Sequence, residues 1–261
     1  MNDYAAILLR IPVFVLVFFR LAGMMLFAPL FGSAQIPKRV RVLLVLVLAL
    51  GICRTVKAVT LPETGWQLAL GIGGEMAFGL ALGMLMSFVF IAAQWAGEMI
   101  GQQMGFNIGQ TFDPQYGGGG SLMGDLYFWL TMVIFLTVGG HHEMLRGVRD
   151  SFEKLPLLSL SVDQPLFDLI VELFQSATIL ALRLASPVLV TMLAVDLSLG
   201  LIGRTLPQFN VMQAGMSVRS MIGMLVVIAG LVLTGQVIDS ALHDSAENLR
   251  SAWATPAAGV R

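Results

Sequence analysis

Long apolar runs separated by short polar links form the hydrophobic pattern of this chain. The apolar segments are, in order, Ile11–Phe31, Val42–Cys53, Met76–Gly97, Leu126–Gly140, Leu166–Leu182 with its continuation Leu184–Val195, and Ser220–Ile238. A helix needs about 20 apolar residues to cross a bilayer core that is about 30 Å thick. Val42–Cys53 and Leu126–Gly140 fall short of that length, so we expect hairpin legs there rather than complete crossings. The pattern predicts an all-α, polytopic protein with about six hydrophobic helical segments, several of them short or broken.

The composition places the chain in a membrane. Hydrophobic residues make up 57% and charged residues 12% of its 261 residues, whereas soluble domains carry about 25% charged residues. A net charge of −1 points neither to nucleic acid nor to acidic substrates. Cys53 is the only cysteine, which excludes an internal disulfide and a cysteine-based metal cluster. Because Arg20 interrupts the first apolar segment, we interpret that segment as a membrane helix rather than a signal peptide.

The segment Gly101–Gly124 lies between two apolar runs and contains no Lys, Arg or Glu. Gly97, Gly101, Gly105 and Gly109 recur every four residues where it begins. On a helix this spacing leaves a strip without side chains, along which a second backbone can pack closely. We therefore expect the preceding helix to continue to Gly109 and to pack along these glycines.

A nearly uncharged loop follows, and its composition leaves two interpretations. Its notable residues are Phe106, Ile108, Phe112, Asp113, Pro114, Tyr116, Gly117, Gly118, Gly119 and Gly120. The run of consecutive glycines favours no regular element, because each glycine loses much conformational freedom when it is ordered. One interpretation is an ordinary solvent-exposed linker. The other is a segment that packs into or plugs a space, which the aromatic residues favour and which is typical of long functional loops.

Charged residues inside apolar segments indicate surfaces that do not face lipid. Burial of an arginine such as Arg20 at mid-membrane costs about 2.5–3.5 kcal/mol on insertion scales. Asp168, Glu172 and Gln175 share one helical face, which we expect to contact a partner or a hydrated lumen. Together with Arg183 and other embedded charges, these residues either form an ion relay or pair across subunits and line a hydrated pore.

The sequence offers little for catalysis. His141, His142 and Glu143 are its only ligand-like cluster. Neighbouring helical residues diverge by about 100°, so these three do not share a face as zinc ligands do. That favours a helix end at the membrane interface over a metal or acid–base role. Phosphate-binding loops, dinucleotide fingerprints and nucleophile elbows are absent from the sequence, and we expect no catalytic residues, no metal and no cofactor.

A charged connection divides the chain. Arg146–Asp163 is the most charged link between apolar segments, and Pro156 and Pro165 interrupt it. We therefore expect two helical parts, residues 1–155 and residues 156–261. A later turn carries Arg204, Pro207, Gln208 and Asn210.

Several short motifs occur in an order and spacing that together are specific. They are Arg20-Leu-Ala-Gly23 followed by Pro29, the basic turn Ile36-Pro-Lys-Arg-Val-Arg41, the Gly97–Gly120 region, Gly139-Gly-His141, and Arg204-Thr-Leu-Pro207-Gln-Phe-Asn210-Val211. With these motifs, nearly the whole chain resembles the FliR family, a flagellar export-gate subunit with counterparts in type III secretion. Residues Ala252–Arg261 match none of the motifs.

The resemblance implies a single FliR-like copy in a helical, hetero-oligomeric gate in the bacterial inner (cytoplasmic) membrane, at the flagellar basal body. The implied partners are FliP-like and FliQ-like membrane subunits, an FlhB-like switch protein, an FlhA-like export motor and the exported unfolded proteins, with no nucleic acid. In such a gate residues 1–155 are FliP-like, residues 156–261 are a FliQ-like hairpin and tail, and a loop that maps onto Phe106–Gly120 closes the pore. The implied function is a non-enzymatic channel subunit. The alternative is a self-contained ion-coupled transporter that uses the embedded charges.

Overall fold

The structure, a computed structural model, describes residues 2–29, 31–32, 36–56, 64–106, 121–158, 164–205 and 211–251. Within these ranges every regular element is an α-helix. The helices of this described part are α1 (Asn2–Phe27), α2 (Lys38–Ile52), α3 (Gly65–Gln103), α4 (Leu122–Thr137), α5 (Gly140–Lys154), α6 (Gln164–Thr205) and α7 (Val211–Ser251). The all-α prediction is confirmed.

Four of these helices are long and apolar enough to cross a membrane. The qualifying stretches are Arg10–Phe27, Gly65–Gln103, Val171–Thr205 and Gly215–Asn248. The helices α4 and α5 meet this criterion only when they are taken together, as one span that is bent by 67° between them. At 15 residues, α2 covers about 22 Å and is too short. The prediction of a polytopic membrane protein with several short or broken segments is confirmed for the described residues.

The chain forms two compact units. The first contains Met1–Phe88, Gly139–Phe174 and Leu242–Arg261, and the second contains Val89–Val138 and Gln175–Ala241. Each unit therefore joins stretches that are distant in the sequence. The division into residues 1–155 and 156–261 concerns the expected likeness to FliP-like and FliQ-like subunits, and it stays a prediction.

In the first unit, the backbones of α1 and α3 nearly touch. A Cβ atom added at Gly79 would lie 1.9 Å from the carbonyl oxygen of Arg20. One added at Gly83 would lie 2.4 Å from the carbonyl oxygen of Met24. Because no side chain fits at either position, two glycines one helical turn apart determine how closely these helices approach.

Part of the charged connection Arg146–Asp163 is helical, which its charge alone did not indicate. The helix α5 begins after Gly139, whose φ of +75° is favoured by glycine. Met144, Val148 and Phe152 recur every four residues along α5, and all are buried. The segment is thus an amphipathic helix in which apolar residues at helical spacing face the first unit's core.

Two sequence-based helix boundaries are corrected along α6 and α7. The apolar run Leu184–Val195 stops before Asp196, but α6 is one continuous helix that contains both Pro187 and Asp196 and ends at Thr205. The apolar run Ser220–Ile238 stops before Asp239, yet α7 continues as a helix to Ser251. A charged residue does not end a helix when its charge is paired, as Asp196 shows below.

Candidate functional site

The helix α3 ends in a Schellman motif directly before the glycine-rich segment. Gly105 has a φ of +81°, and its N–H donates to the carbonyl of Gln102 at 3.1 Å. The N–H of Phe106 donates to the carbonyl of Gly101 at 3.0 Å. These bonds satisfy helix-end carbonyls, and the left-handed backbone between them favours glycine. The expectation that the helix continues through the glycine spacing is therefore wrong, because α3 ends at Gln103.

Gly97 lies where the backbones of α3 and α4 approach each other within the second unit. A Cβ atom at this position would lie 2.3 Å from the carbonyl oxygen of Met123 and 2.7 Å from Cα of Gly124. Gly101, one turn later on α3, is also buried. The two helices can approach in this way only because residue 97 has no side chain.

Met104, which lies between the end of α3 and Gly105, is held by α7. Ser220 Oγ donates to the carbonyl oxygen of Met104 at 2.8 Å. The Met104 side chain is completely buried and covers Gly223, where an added Cβ would lie 2.5 Å from Met104 Cγ. Residues 220 and 223 are three positions apart and share a helical face, so one face of α7 contacts both the main chain and the side chain of Met104.

Most of the predicted plug loop lies outside the described residues. Phe106 is described and is half-buried. The other predicted residues, all outside the described ranges, are Ile108, Gly109, Phe112, Asp113, Pro114, Tyr116, Gly117, Gly118, Gly119 and Gly120. The plug assignment therefore stays a prediction, and the structure describes the backbone from which this segment departs.

Arg20 is completely buried and joins three helices of the first unit. Its Nε donates to Glu75 Oε2 at 2.5 Å, and its Nη1 donates to the carbonyl oxygen of Ser151 at 3.3 Å. The guanidinium carbon also lies 4.9 Å from the ring centre of Phe78 and 4.5 Å from that of Phe152. A cation can be buried when an opposite charge, acceptors and aromatic faces surround it. The helices α1, α3 and α5 thus share one neutralised charge.

Both oxygens of the Glu75 carboxylate are engaged. Oε2 accepts from Arg20, and Oε1 accepts from the backbone N–H of Leu158 at 2.9 Å. Leu158 has a φ of +65°, a conformation that branched residues rarely adopt. Glu75 therefore stabilises an unfavourable turn after α5 as well as a buried cation.

A second ion pair joins α6 and α7 inside the second unit. Asp196 Oδ1 lies 2.8 Å from Arg219 Nε, and both side chains are partly exposed. Both residues fall within membrane-spanning stretches. Mutual neutralisation reduces the cost of placing either charge there, so Asp196 can occupy the interior of α6.

The remaining predicted polar residues lie along α6 and the turn after it. Glu172 and Arg183 are exposed on α6, and Arg204 is exposed near its end. Asp168 belongs to α6, but its side chain lies outside the described residues. Also outside them are Pro207, Gln208 and Asn210. Contact of this face with a partner or a lumen stays a prediction.

The histidine pair lies at the start of α5. The ring centroids of His141 and His142 are 4.1 Å apart, and Glu143 pairs with Arg146 at 3.1 Å. Across the described ranges, no three His, Cys, Asp or Glu side chains converge as metal ligands. The arrangement is that of a polar helix start.

Comparison with known proteins gives the family. The model of the family described as "Bacterial export proteins, family 1" matches residues 11–245, which include Arg20, Glu75, Met104 and Ser220. The chain belongs to this export family. The match covers nearly all of the described residues, so it extends over both compact units.

Relatives within the export family are similar over most of their length. The flagellar biosynthetic protein FliR of Bacillus subtilis (strain 168) is 30% identical over 92% of this chain and 94% of its own. FliR of Escherichia coli (strain K12) is 27% identical over 75% of each chain. The surface presentation of antigens protein SpaR of Shigella flexneri is 26% identical over 81% of this chain and 82% of its own. The resemblance to the FliR family indicated by the sequence motifs is confirmed.

Sequence reasoning missed several contacts of this export-family chain. The sequence shows Glu75 as an acidic residue inside an apolar segment. Its negative charge, opposite to that of Arg20, was the signal that could have indicated their pairing. Ser220 carried no comparable signal, because serine in a helix commonly bonds its own backbone, as it also does here to Met216 at 3.0 Å.

Proposed function

We propose that this chain is a non-enzymatic subunit of the flagellar type III protein export gate, which passes unfolded proteins across the bacterial inner (cytoplasmic) membrane at the flagellar basal body. Membership of the export family supports the export role, and similarity to flagellar biosynthetic proteins over most of the chain supports the flagellar system. The four long apolar helices support the membrane location. Within this role, the segment Phe106–Gly120 forms the plug of the channel.

The observation that carries the plug role is the Schellman end of α3. It sets the backbone at Gly105 and Phe106, so the nearly uncharged, aromatic segment departs from a defined point. Apolar filler leaves an ion poorly solvated, and constrictions of this kind gate by dewetting. The glycines at 117–120 supply the backbone freedom needed to move aside for an unfolded chain. Asp113, directly before Pro114, acts as a turn former.

The apolar surface of α6 and α7 supports assembly with other membrane subunits. Only 28% of the membrane-spanning stretch of α6 and 17% of that of α7 is buried within the chain. Large exposed side chains include Val190, Leu193, Leu197, Leu225, Ile228 and Val232. FliP-like and FliQ-like subunits cover part of this surface in the proposed gate, and the FlhB-like switch protein and the FlhA-like export motor complete the apparatus.

The described charges favour a gate subunit over a self-contained ion-coupled transporter. A relay needs embedded groups that can exchange an ion or a proton. Arg20 and Glu75 instead neutralise each other, and Asp196 pairs with Arg219. The two pairs hold helices of one chain together, a use of embedded charge that neither the relay nor the inter-subunit interpretation anticipated.

Deletion of Phe112–Gly120 tests the proposed function. Cells that carry the assembled gate with this deletion should take up small molecules and conduct ions across the inner membrane more than cells with the parent gate. Assembly is measured by copurification of the partner subunits, because the deletion should leave it intact.

Deletion of Ala252–Arg261 is the matched control, since it removes a segment of similar size that carries no family motif. Cells with this control should stay as tight as the parent. An assembled gate that remains impermeable after loss of Phe112–Gly120 would overturn the plug role and leave the segment between α3 and α4 as an ordinary linker.

A further inference from the structure

The main-chain carbonyl of Met104 lies just before the predicted plug and accepts a hydrogen bond from α7. The Schellman bonds occupy the carbonyls of Gly101 and Gln102 but not that of Met104. Ser220 supplies the donor at 2.8 Å, from a position 116 residues further along the chain, and it shares its one hydroxyl proton with the carbonyl oxygen of Met216 at 3.0 Å. The C-terminal end of α3 is therefore bonded to α7 as well as within its own last turn.

An ion pair at the neighbouring residue also restricts the rotation of α7 at Ser220. Arg219, the residue before it, pairs with Asp196 of α6 at 2.8 Å. Consecutive helical residues point about 100° apart, so these two contacts hold α7 on two different sides. Rotation of α7 about its axis would break both the ion pair and the hydrogen bond to Met104.

Gly223 completes the contact because its missing side chain leaves room for that of Met104. An added Cβ would lie 2.9 Å from Met104 Sδ and 2.9 Å from the terminal methyl carbon of Met192. The absence of a side chain at residue 223 therefore creates the space that buries Met104 fully.

We infer that Ser220 and Gly223 form an anchor on α7 that positions the predicted plug by fixing Met104, two residues before Phe106. The inference rests on the proposed function, because a positioning residue needs a plug to position. Loss of the anchor leaves the filler residues in the chain but frees the point from which they depart. The gate then assembles normally and closes less completely.

The test uses the full gate in cells and three single substitutions on α7. Ser220→Ala removes the hydroxyl, and the loss of one hydrogen bond corresponds to about a fivefold shift toward the displaced state. Leakage of small molecules should rise by about that factor with the partner subunits still copurifying. Ser220→Thr keeps the hydroxyl, and its gate should leak no more than the parent gate. Ser240→Ala is the control, because Ser240 bonds Val237 of its own helix, and its gate should match the parent.

A cross-link measures the anchor independently of leakage. In a Cys53→Ser background, the double substitution Met104→Cys and Gly223→Cys places a cysteine at each of two touching positions. The disulfide should form on mild oxidation, and adding Ser220→Ala should lower its yield at least twofold. Failure of the disulfide to form, or a yield unaffected by Ser220→Ala, would overturn the anchor.

Parallel measurement of the Phe112–Gly120 deletion separates the two proposals. If that deletion leaks while Ser220→Ala stays tight, the anchor is refuted and the plug stands. If the deletion itself stays tight, the plug is refuted and its positioning with it, while the cross-link yield still reports whether Ser220 holds Met104.

Discussion

Arg20 and Glu75 form an ion pair that is removed from solvent almost completely, with 0% and 1% of their side chains exposed. The two residues are 55 positions apart in the sequence and lie on α1 and α3. Gly79 allows the backbones of these two helices to approach. The pair is thus both a consequence of close helix packing and a condition for it.

Replacement of Glu75 with Leu should destabilise the protein strongly, because Arg20 would remain buried without a counter-charge. Breaking a buried pair by removing one partner costs about 3–5 kcal/mol. The thermal stability and yield of the detergent-extracted gate should fall accordingly.

Glu153→Leu is the control for this change. Glu153 lies 4.0 Å from Arg149 in a pair whose side chains are 69% and 65% exposed, and such surface pairs contribute at most about 1 kcal/mol. Equal stability of the Glu75 and Glu153 variants would contradict the role of the buried pair.

Replacement of Gly79 with Ala should separate α1 from α3. The new methyl group would lie 1.9 Å from the carbonyl oxygen of Arg20, which is backbone and cannot move without moving the helix. We expect loss of the folded protein from membrane extracts. Gly73→Ala on the same helix meets nothing within 4 Å, and it should be neutral or gain up to about 1 kcal/mol from the higher helix propensity of alanine. A Gly79→Ala protein as abundant as Gly73→Ala would argue against the close approach.

Replacement of Gly105 distinguishes backbone conformation from packing at the end of α3. Gly105 has a φ of +81°, and a left-handed backbone costs about 1–2 kcal/mol for most residues. Asparagine tolerates this conformation better than alanine does. Gly105→Ala should therefore leak more than Gly105→Asn in the small-molecule assay, although asparagine is larger. The opposite order would show that space at residue 105 matters more than its φ.

Replacement of both Asp168 and Glu172 with Leu tests the predicted polar face of α6. The double variant should enter the membrane fraction at least as well as the parent, because two carboxylates are removed from an apolar helix. Export of flagellar proteins should fall if the face contacts a partner or a lumen. Val171→Leu changes the exposed residue beside Glu172 without altering charge, and it should leave export intact. Normal export by the double variant would show that this polar face of α6 is only a solvated surface.

Local properties of the sequence determined the class of the protein and its helical, membrane-spanning character. Apolar runs of spanning length recur along the chain, and helix is the structure that satisfies the backbone within lipid, so the run lengths alone indicate which segments cross. The shortness of Val42–Cys53 and Leu126–Gly140 foretold incomplete crossings for the same reason. The family also followed from the sequence, since ordered motifs such as the basic turn Ile36–Arg41 are read without coordinates.

Only the tertiary structure decided where helices end and which charges pair. Glycine spacing suggested that α3 continues, but the hydrogen bonds of Gly105 and Phe106 end it. Asp196 resembled a helix end until Arg219 was placed beside it. The end of α3 depends on the positive φ of Gly105, which glycine spacing does not reveal. The Asp196–Arg219 and Arg20–Glu75 pairs join groups from distant positions, whereas periodicity describes neighbours within a few residues. A buried charge or carbonyl takes whichever partner the packed helices present, and no local pattern specifies that partner.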